Sequence, residues 1–208
     1  MAHQKHIDFT AKTALQGALV TLRPVSAADV SVLHASMSDQ EVSHLTGSIH
    51  SWAEASRSPW TVAQLEEVYS RWAVADDRIV WVIVDRASGQ IVGESVISDL
   101  DPGNRSCSFR IWISGARGRG LGTEATRLSV QHAFDLGVNR VELEVYAFNP
   151  RARHVYEKVG FVHEGFKRQA LLFEGEWIDA EMMSCLVDEW VDSGSDGKGR
   201  YAVSPLPS

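Results

Sequence analysis

Arg117-Gly-Arg-Gly-Leu-Gly122 is the stretch of this chain whose residue types and spacing point most directly to chemistry. It lies between an alternating segment that ends at Ile113 and a helical pattern that runs to about Leu136, so it is the turn by which a strand feeds a helix N-terminus. Glycines there let the main chain approach a ligand closely, and the exposed N–H groups and the helix dipole attract phosphate. The same glycines also suit a tight turn with no ligand, so the turn alone leaves both uses open. Two nucleotide motifs do not fit. A triphosphate loop needs Gly-Lys followed by Ser or Thr, which is absent. A dinucleotide fingerprint needs G-x-G-x-x-G, whereas Gly118, Gly120 and Gly122 are spaced G-x-G-x-G and follow several strands instead of opening the fold. Glu144 stands at a suitable distance for that fingerprint, but the glycine spacing decides against it. His163-Glu164-Gly-Phe-Lys167 lacks the second histidine of a zinc helix, and Cys107 and Cys185 have no ligand spacing, so no metal is expected.

The elements that must position this turn are legible in the apolar periods. Ala18–Pro24 reads as a strand, and Ser26 caps a short helix over 27–37. Residues 41–59, rich in Ser, His and Gly, read as a loop. Thr61 caps a helix with Leu65, Val68, Tyr69 and Trp72 on one face. Ile79–Val84 is a continuous apolar run, as for a strand covered on both faces. Ile91–Ile97 follows a turn at 87–90, and 106–113 alternates with a period of two after the turn at Asp101-Pro-Gly-Asn104. Leu121, Ala125, Leu128, His132 and Leu136 share one face of the next helix, with His132 expected as a packed histidine. Val141–Val145 is another strand. Asn149-Pro150 opens a helix that Gly160 closes, and 166–173 and 177–186 form a hairpin. The expected fold is one mixed α/β (α+β) domain with a mostly antiparallel sheet, helices on both faces and one crossover through the glycine-rich helix. Residues 1–15 read as a flexible N-terminus, 16–191 as the domain and 192–208 as a flexible tail.

Composition bounds the function. The 208 residues carry 20 Lys or Arg against 27 Asp or Glu, a net charge of -7. That balance argues against a nucleic-acid or anionic-membrane partner. No apolar run has the roughly 20 residues of a membrane helix, and the N-terminus lacks a signal-peptide core. The two cysteines read as reduced core residues, so a cytoplasmic location is expected. Residues 117–168 nevertheless hold nine basic and six acidic residues, a local excess of positive charge inside an acidic chain. This is a place for a small polyanion, while the acidic remainder suits a cationic acceptor.

Arg117-x-x-Gly120-x-Gly122 resembles the acetyl-coenzyme A pyrophosphate motif of the GNAT (GCN5-related) N-acetyltransferases, Q/R-x-x-G-x-G/A. Asn149-Pro-Arg-Ala-Arg-His-Val-Tyr156-Glu-Lys-Val-Gly-Phe161 resembles that family's N-x-x-[A/S]-x-x-x-Y-x-x-x-G-F segment. The close of the chain, Glu164-Gly165 through Trp177-x-Asp179 to Glu189-Trp190, is similar to the RimJ/RimL-type branch. The likeness runs from about Leu19 to Trp190.

What the resemblance implies is a GNAT-type fold and transfer of an acetyl group from acetyl-coenzyme A to a primary amine by direct attack. Main-chain groups of Ile111, Trp112 and Ile113 would bond the pantetheine and polarise the thioester carbonyl. Arg117, Gly118 and the N–H groups from Arg119 through Gly120, Leu121 and Gly122 to Thr123 would hold the pyrophosphate. Asn149 would both cap its helix and approach the pantetheine arm. Tyr156 is the expected acid for the departing thiolate, although its place on an apolar stripe with Ala152, Val155 and Val159 also fits plain packing. The strand before the turn offers Ser106 and Ser108 where many relatives carry a Glu, and Ala152 stands where many RimJ/RimL-type members have Ser. Glu94 on the preceding strand is the leading base, with Glu174, Asp179 or a water chain as rivals. Trp52 and Trp60 are candidates for an aromatic wall around the amine, and His34, His44 and His50 for contact with it. The acceptor is a small-molecule or peptide amine, and a homodimer stays open. A catalytically silent acyl-coenzyme A sensor is the alternative that the missing strand Glu keeps alive.

Overall fold

Alternation along Ser106–Ile113 sends Cys107 and Phe109 to one face of a sheet and Trp112 to the other, and both faces are covered. The computed structural model describes residues 7–55, 60–115 and 118–193. Its eight strands are β1 (Leu15–Gln16), β2 (Val20–Pro24), β3 (Ile79–Asp85), β4 (Ile91–Asp101), β5 (Ser106–Ile113), β6 (Arg140–Tyr146), β7 (Val162–Phe173) and β8 (Glu176–Leu186). They lie in the order β1-β2-β3-β4-β5-β6-β8-β7. Every neighbouring pair is antiparallel except β5 and β6, which run parallel. A parallel pair needs a crossover, and α4 (Leu121–Leu136) supplies it.

Helices cover the two faces. On one, α4 and α5 (Pro150–Val159) bury Leu121, Ala125, Leu128, Tyr156 and Val159 against Trp81, Ile97 and Phe109. On the other, α1 (Val30–Met37), α2 (Gln40–Leu45) and α3 (Val62–Val74) place Leu33, Val42, Leu65 and Tyr69 over Val80, Val82, Val96 and Trp112. The unbroken apolar run of β3 follows, since its side chains meet a helix layer on either side. Thr61 caps α3 with a reciprocal Gln64 pair, Asn149 caps α5 through the Ala152 N–H at 3.1 Å, and Gly160 ends α5 at φ +118°. His132 is buried edge-on to Trp81, and both cysteines are buried free thiols that burial pushes up to about 12. Among the described residues no helix is long and apolar enough to cross a membrane.

Two expectations change. The loop expected over 41–59 begins with α2, capped by Asp39, whose carboxylate accepts from the Glu41 N–H at 2.9 Å. Six residues with two apolar side chains, Val42 and Leu45, are too short for a readable period. The N-terminal stretch expected to be flexible also packs from Ile7 onward. Ile7 and Phe9 enter the core, and the Lys12 ammonium donates to the carbonyls of Phe9, Ala75 and Arg78. Single apolar residues in a polar stretch carry no periodicity, so their burial is decided by the surface they meet. At the other end α6 (Val187–Ser193) reaches slightly beyond the expected boundary, and residues 194–208 lie outside the described set.

Candidate active site

The site begins where the sheet opens. β5 and β6 pair at Ser106–Arg140, Cys107–Val141 and Ser108–Glu142, and no further. On its other edge β5 stays on β4 as far as Ile113, opposite Gly93. A Cβ at Gly93 would drive into the Trp112 carbonyl oxygen, so glycine is what lets β4 hold β5 while β5 leaves β6. The main-chain edge of Phe109–Ile113 that faces β6 therefore has no strand partner and borders a cleft of about 910 Å³. Ile111, Trp112 and Ile113 line it, as do Gly118, Gly120, Leu121, Gly122, Thr123, Asn149 and Tyr156. The structure thus brings the cofactor residues expected from both motifs to one cavity. Arg117 falls outside the described residues, and Arg119 is not part of the lining.

The turn holds its shape by backbone and by anchors. Gly118 and Gly120 sit at φ +79° and +83°, the left-handed region that favours glycine, and Gly120 is the N-cap of α4. The Arg119 guanidinium points away and meets the Asp85 carboxylate at 2.8 and 3.2 Å. Arg119, then Ser88, holds that carboxyl below the usual carboxylate range. In the first turn of α4 the buried Glu124 carboxylate accepts from the N–H groups of Ala18, Leu19 and Val20 at 2.9, 2.6 and 2.8 Å. A Cβ at Gly17 would collide with Glu124, so this close approach also needs glycine. Sequence reasoning missed Asp85 and Glu124. An acid in the first turn of a helix was a visible signal for Glu124, but its partners lie on a distant strand.

Tyr156 faces the cleft from α5 and packs edge-on to Phe109, with burial raising its pKa. Arg151, His154 and Lys158 line the same side. Asn149 caps the helix with its oxygen and donates its amide weakly to the Leu45 carbonyl at 3.5 Å, joining α5 to the end of α2.

Glu94 does not reach the cleft. Its side chain is 0% exposed, beneath Arg110, and it accepts from the Tyr69 hydroxyl and from Arg110 at 3.3 Å. Burial raises its pKa, opposed by Arg110 and by hydrogen bonds from Tyr69 and Trp112. A general base must come within hydrogen-bond reach of the proton it takes, directly or through one water, and this buried carboxylate does not line the cleft, so of those two routes only the water-mediated one is open to it. Arg110, Glu142 and Glu144 do line the cleft, and none of them was singled out from the sequence for that role. Glu174 and Asp179 bond to the main-chain N–H groups of Trp52 and Gln169 and do not line it. Trp52 joins His44 and Phe173 in an aromatic cluster outside the lining. His34 and His50 bond to the carbonyls of Trp60 and Leu172.

A sheet splayed beside a glycine-rich helix N-terminus, with helices over both faces, defines the class of protein. The chain belongs to the acetyltransferase (GNAT) domain family, whose sequence model matches residues 20–162. It is 26% identical over 131 residues to the spermidine N(1)-acetyltransferase of Vibrio cholerae serotype O1, covering 62% of this chain and 75% of that protein. A GCN5-related N-acetyltransferase from Brucella melitensis superposes with a TM-score of 0.71 at 26% identity, covering 90% of this chain and 85% of that one. The crystal structure of Vibrio cholerae spermidine N-acetyltransferase in complex with CoA and spermine superposes with a TM-score of 0.74 at 22% identity, covering 84% and 99%, a likeness of fold.

Proposed function

We propose that the protein is an acetyl-coenzyme A-dependent N-acetyltransferase acting on the primary amine of a small molecule or peptide. The observation that carries this reading is the ending of the β5–β6 ladder at Ser108–Glu142, directly before a helix N-terminus built on left-handed glycines. Residues present fit the co-substrate: the free edge of Ile111–Ile113 suits an extended chain of amides, and the N–H groups of 118–123 suit paired phosphates. Arg151 and Lys158 add positive charge on the same side. The bound co-substrate supplies a thioester, which an uncharged amine attacks.

The chain must then do three things. An N–H of the splayed strand stabilises the developing oxyanion. A carboxylate takes the ammonium proton, and Glu142 and Glu144 of β6 line the cleft beside β5, a strand that carries no carboxylate of its own. Tyr156, kept protonated by burial, donates to the departing thiolate. The similarity of the chain's close to the RimJ/RimL-type branch supports placing it there. Incubation with acetyl-coenzyme A and a panel of amines, followed by free-thiol release, tests the reading. Tight coenzyme A binding without thiol release from any acceptor would instead support an acyl-coenzyme A sensor.

A further inference from the structure

The cleft is not the free negative surface that a polycation needs. Its lining carboxylates are Glu41, Asp99, Glu142 and Glu144. Glu142 lies 3.0 Å from Arg140, Glu144 lies 2.9 Å from Lys167, and Asp99 lies 4.0 Å from Arg78. Glu41 is also engaged. The surplus acidity of the chain is therefore not concentrated as free charge where the acceptor must enter.

Arg110 is the contrasting group. It stands on the splayed stretch of β5, two residues past the last pair with β6, and its side chain is 56% exposed in the cleft. One guanidinium nitrogen meets the buried Glu94 at 3.3 Å, and that carboxylate is itself held by Tyr69. Among the described residues Arg110 has no other hydrogen-bond partner. A guanidinium has five N–H donors in a planar fork, so one anchored nitrogen leaves the others aimed at the cavity. Glu94 orients Arg110 from below, out of water, and cannot itself meet a ligand.

We propose that Arg110 is a carboxylate receptor, and that the acceptor is an amine bearing a carboxylate a few bonds from its nitrogen, of the amino-acid kind, in preference to a polyamine. This rests on the acetyltransferase reading above. The carboxylate docks on the Arg110 fork, which places the amine toward β6 and its two glutamates. Glu94 acts as a positioning residue through Arg110.

The test compares α-amino acids, each beside its own amide, and spermidine, in wild-type protein and in Arg110→Lys and Arg110→Gln. Arg110→Lys keeps a counter-charge over Glu94, so it guards against a loss of folding in Arg110→Gln. At least one amino acid is expected to exceed its amide in kcat/KM by about 10- to 100-fold, the range of a charged hydrogen-bonded pair. Arg110→Gln should abolish that ratio through the acceptor KM, leaving the acetyl-coenzyme A KM unchanged, and Arg110→Lys should reduce it. A merely structural Arg110 would depress acid and amide alike, and that result overturns the proposal. So does spermidine outrunning every carboxylate acceptor in the wild type. If no acceptor releases thiol, the acetyltransferase reading fails separately. Calorimetric titration of the coenzyme A complex with N-acetyl amino acids and N-acetyl amino acid amides still decides on Arg110, and equal binding of the two refutes it.

Discussion

The Arg119 guanidinium is held by the Asp85 carboxylate at 2.8 Å, so the side chain of this residue of the glycine-rich turn faces the end of β3 and not the cleft. The turn is thereby tied to a sheet strand, which in the proposed reading leaves its main-chain N–H groups to the pyrophosphate. Asp85→Ala is expected to raise the KM for acetyl-coenzyme A several-fold while kcat changes less than about twofold. Steady-state kinetics with acetyl-coenzyme A varied checks this. A fall confined to kcat would mean that the ion pair does not shape the turn.

Tyr156→Phe removes one hydroxyl that has no hydrogen-bond partner among the described residues, so the melting temperature should barely move. Loss of the acid should lower kcat by about 100-fold or more, within the usual range for proton transfer by a positioned side chain. Burial moves the phenol pKa upward, so Tyr156 stays protonated through neutral pH and its ionisation should add no alkaline limb to the rate profile within the ordinary phenol range. Turnover that matches wild type at every pH, with coenzyme A binding intact, would leave Tyr156 a packing residue.

Glu94→Gln separates positioning from base chemistry. The amide oxygen still accepts from Arg110 while its NH2 can donate to the Tyr69 hydroxyl oxygen, so acetyl transfer to an amine without a carboxylate should stay within about threefold, whereas loss of a true base costs on the order of 100-fold. Selectivity for a carboxylate-bearing acceptor should weaken instead. Measuring kcat on an acceptor with and without a carboxylate distinguishes the two roles.

Glu124 satisfies three main-chain N–H groups at once from a buried position. Glu124→Ala strands those donors and is expected to cost about 2–4 kcal/mol of folding stability. Urea unfolding measures it, and a loss below about 0.5 kcal/mol would show that the β1–β2 turn finds other partners.

His44 and His132 both have pKa values lowered by burial. A histidine whose folded pKa is depressed resists protonation in the fold, so stability is lost as pH falls from the unfolded value near 6.5 toward the folded one. Asp29, Asp77, Asp85 and Glu164 are shifted down as carboxylates, and their contribution is lost only at lower pH, below about 4. Melting temperature should thus decline in two windows. His132→Phe, which retains an aromatic edge for Trp81, should flatten the upper one. An unchanged slope between pH 6.5 and 5 would assign that loss to other groups.

Local rules made much of this protein readable in advance. The period of two along 106–113 and the 3.6-residue stripe of 121–136 reflect faces that must be buried. Asn149-Pro150 and the glycines at 118, 120 and 160 reflect backbone that other residues form at a cost. Those rules made the strand-turn-helix and the Asn149–Tyr156 helix legible as elements, and the resemblance to the GNAT motifs is what joined them into one expected cofactor site. Tertiary structure alone decided the rest. Asp85 lies 34 residues from Arg119, and Leu19 lies 105 from Glu124, distances over which no period connects side chains. Glu94 and Arg110 sit on adjacent strands facing the same helix layer, yet one is sealed and the other open because the cleft begins where β5 parts from β6. Sequence determines which residues a strand offers to each face. Only the packing of helices over that face, and the place where the ladder stops, determines which of them meets a ligand.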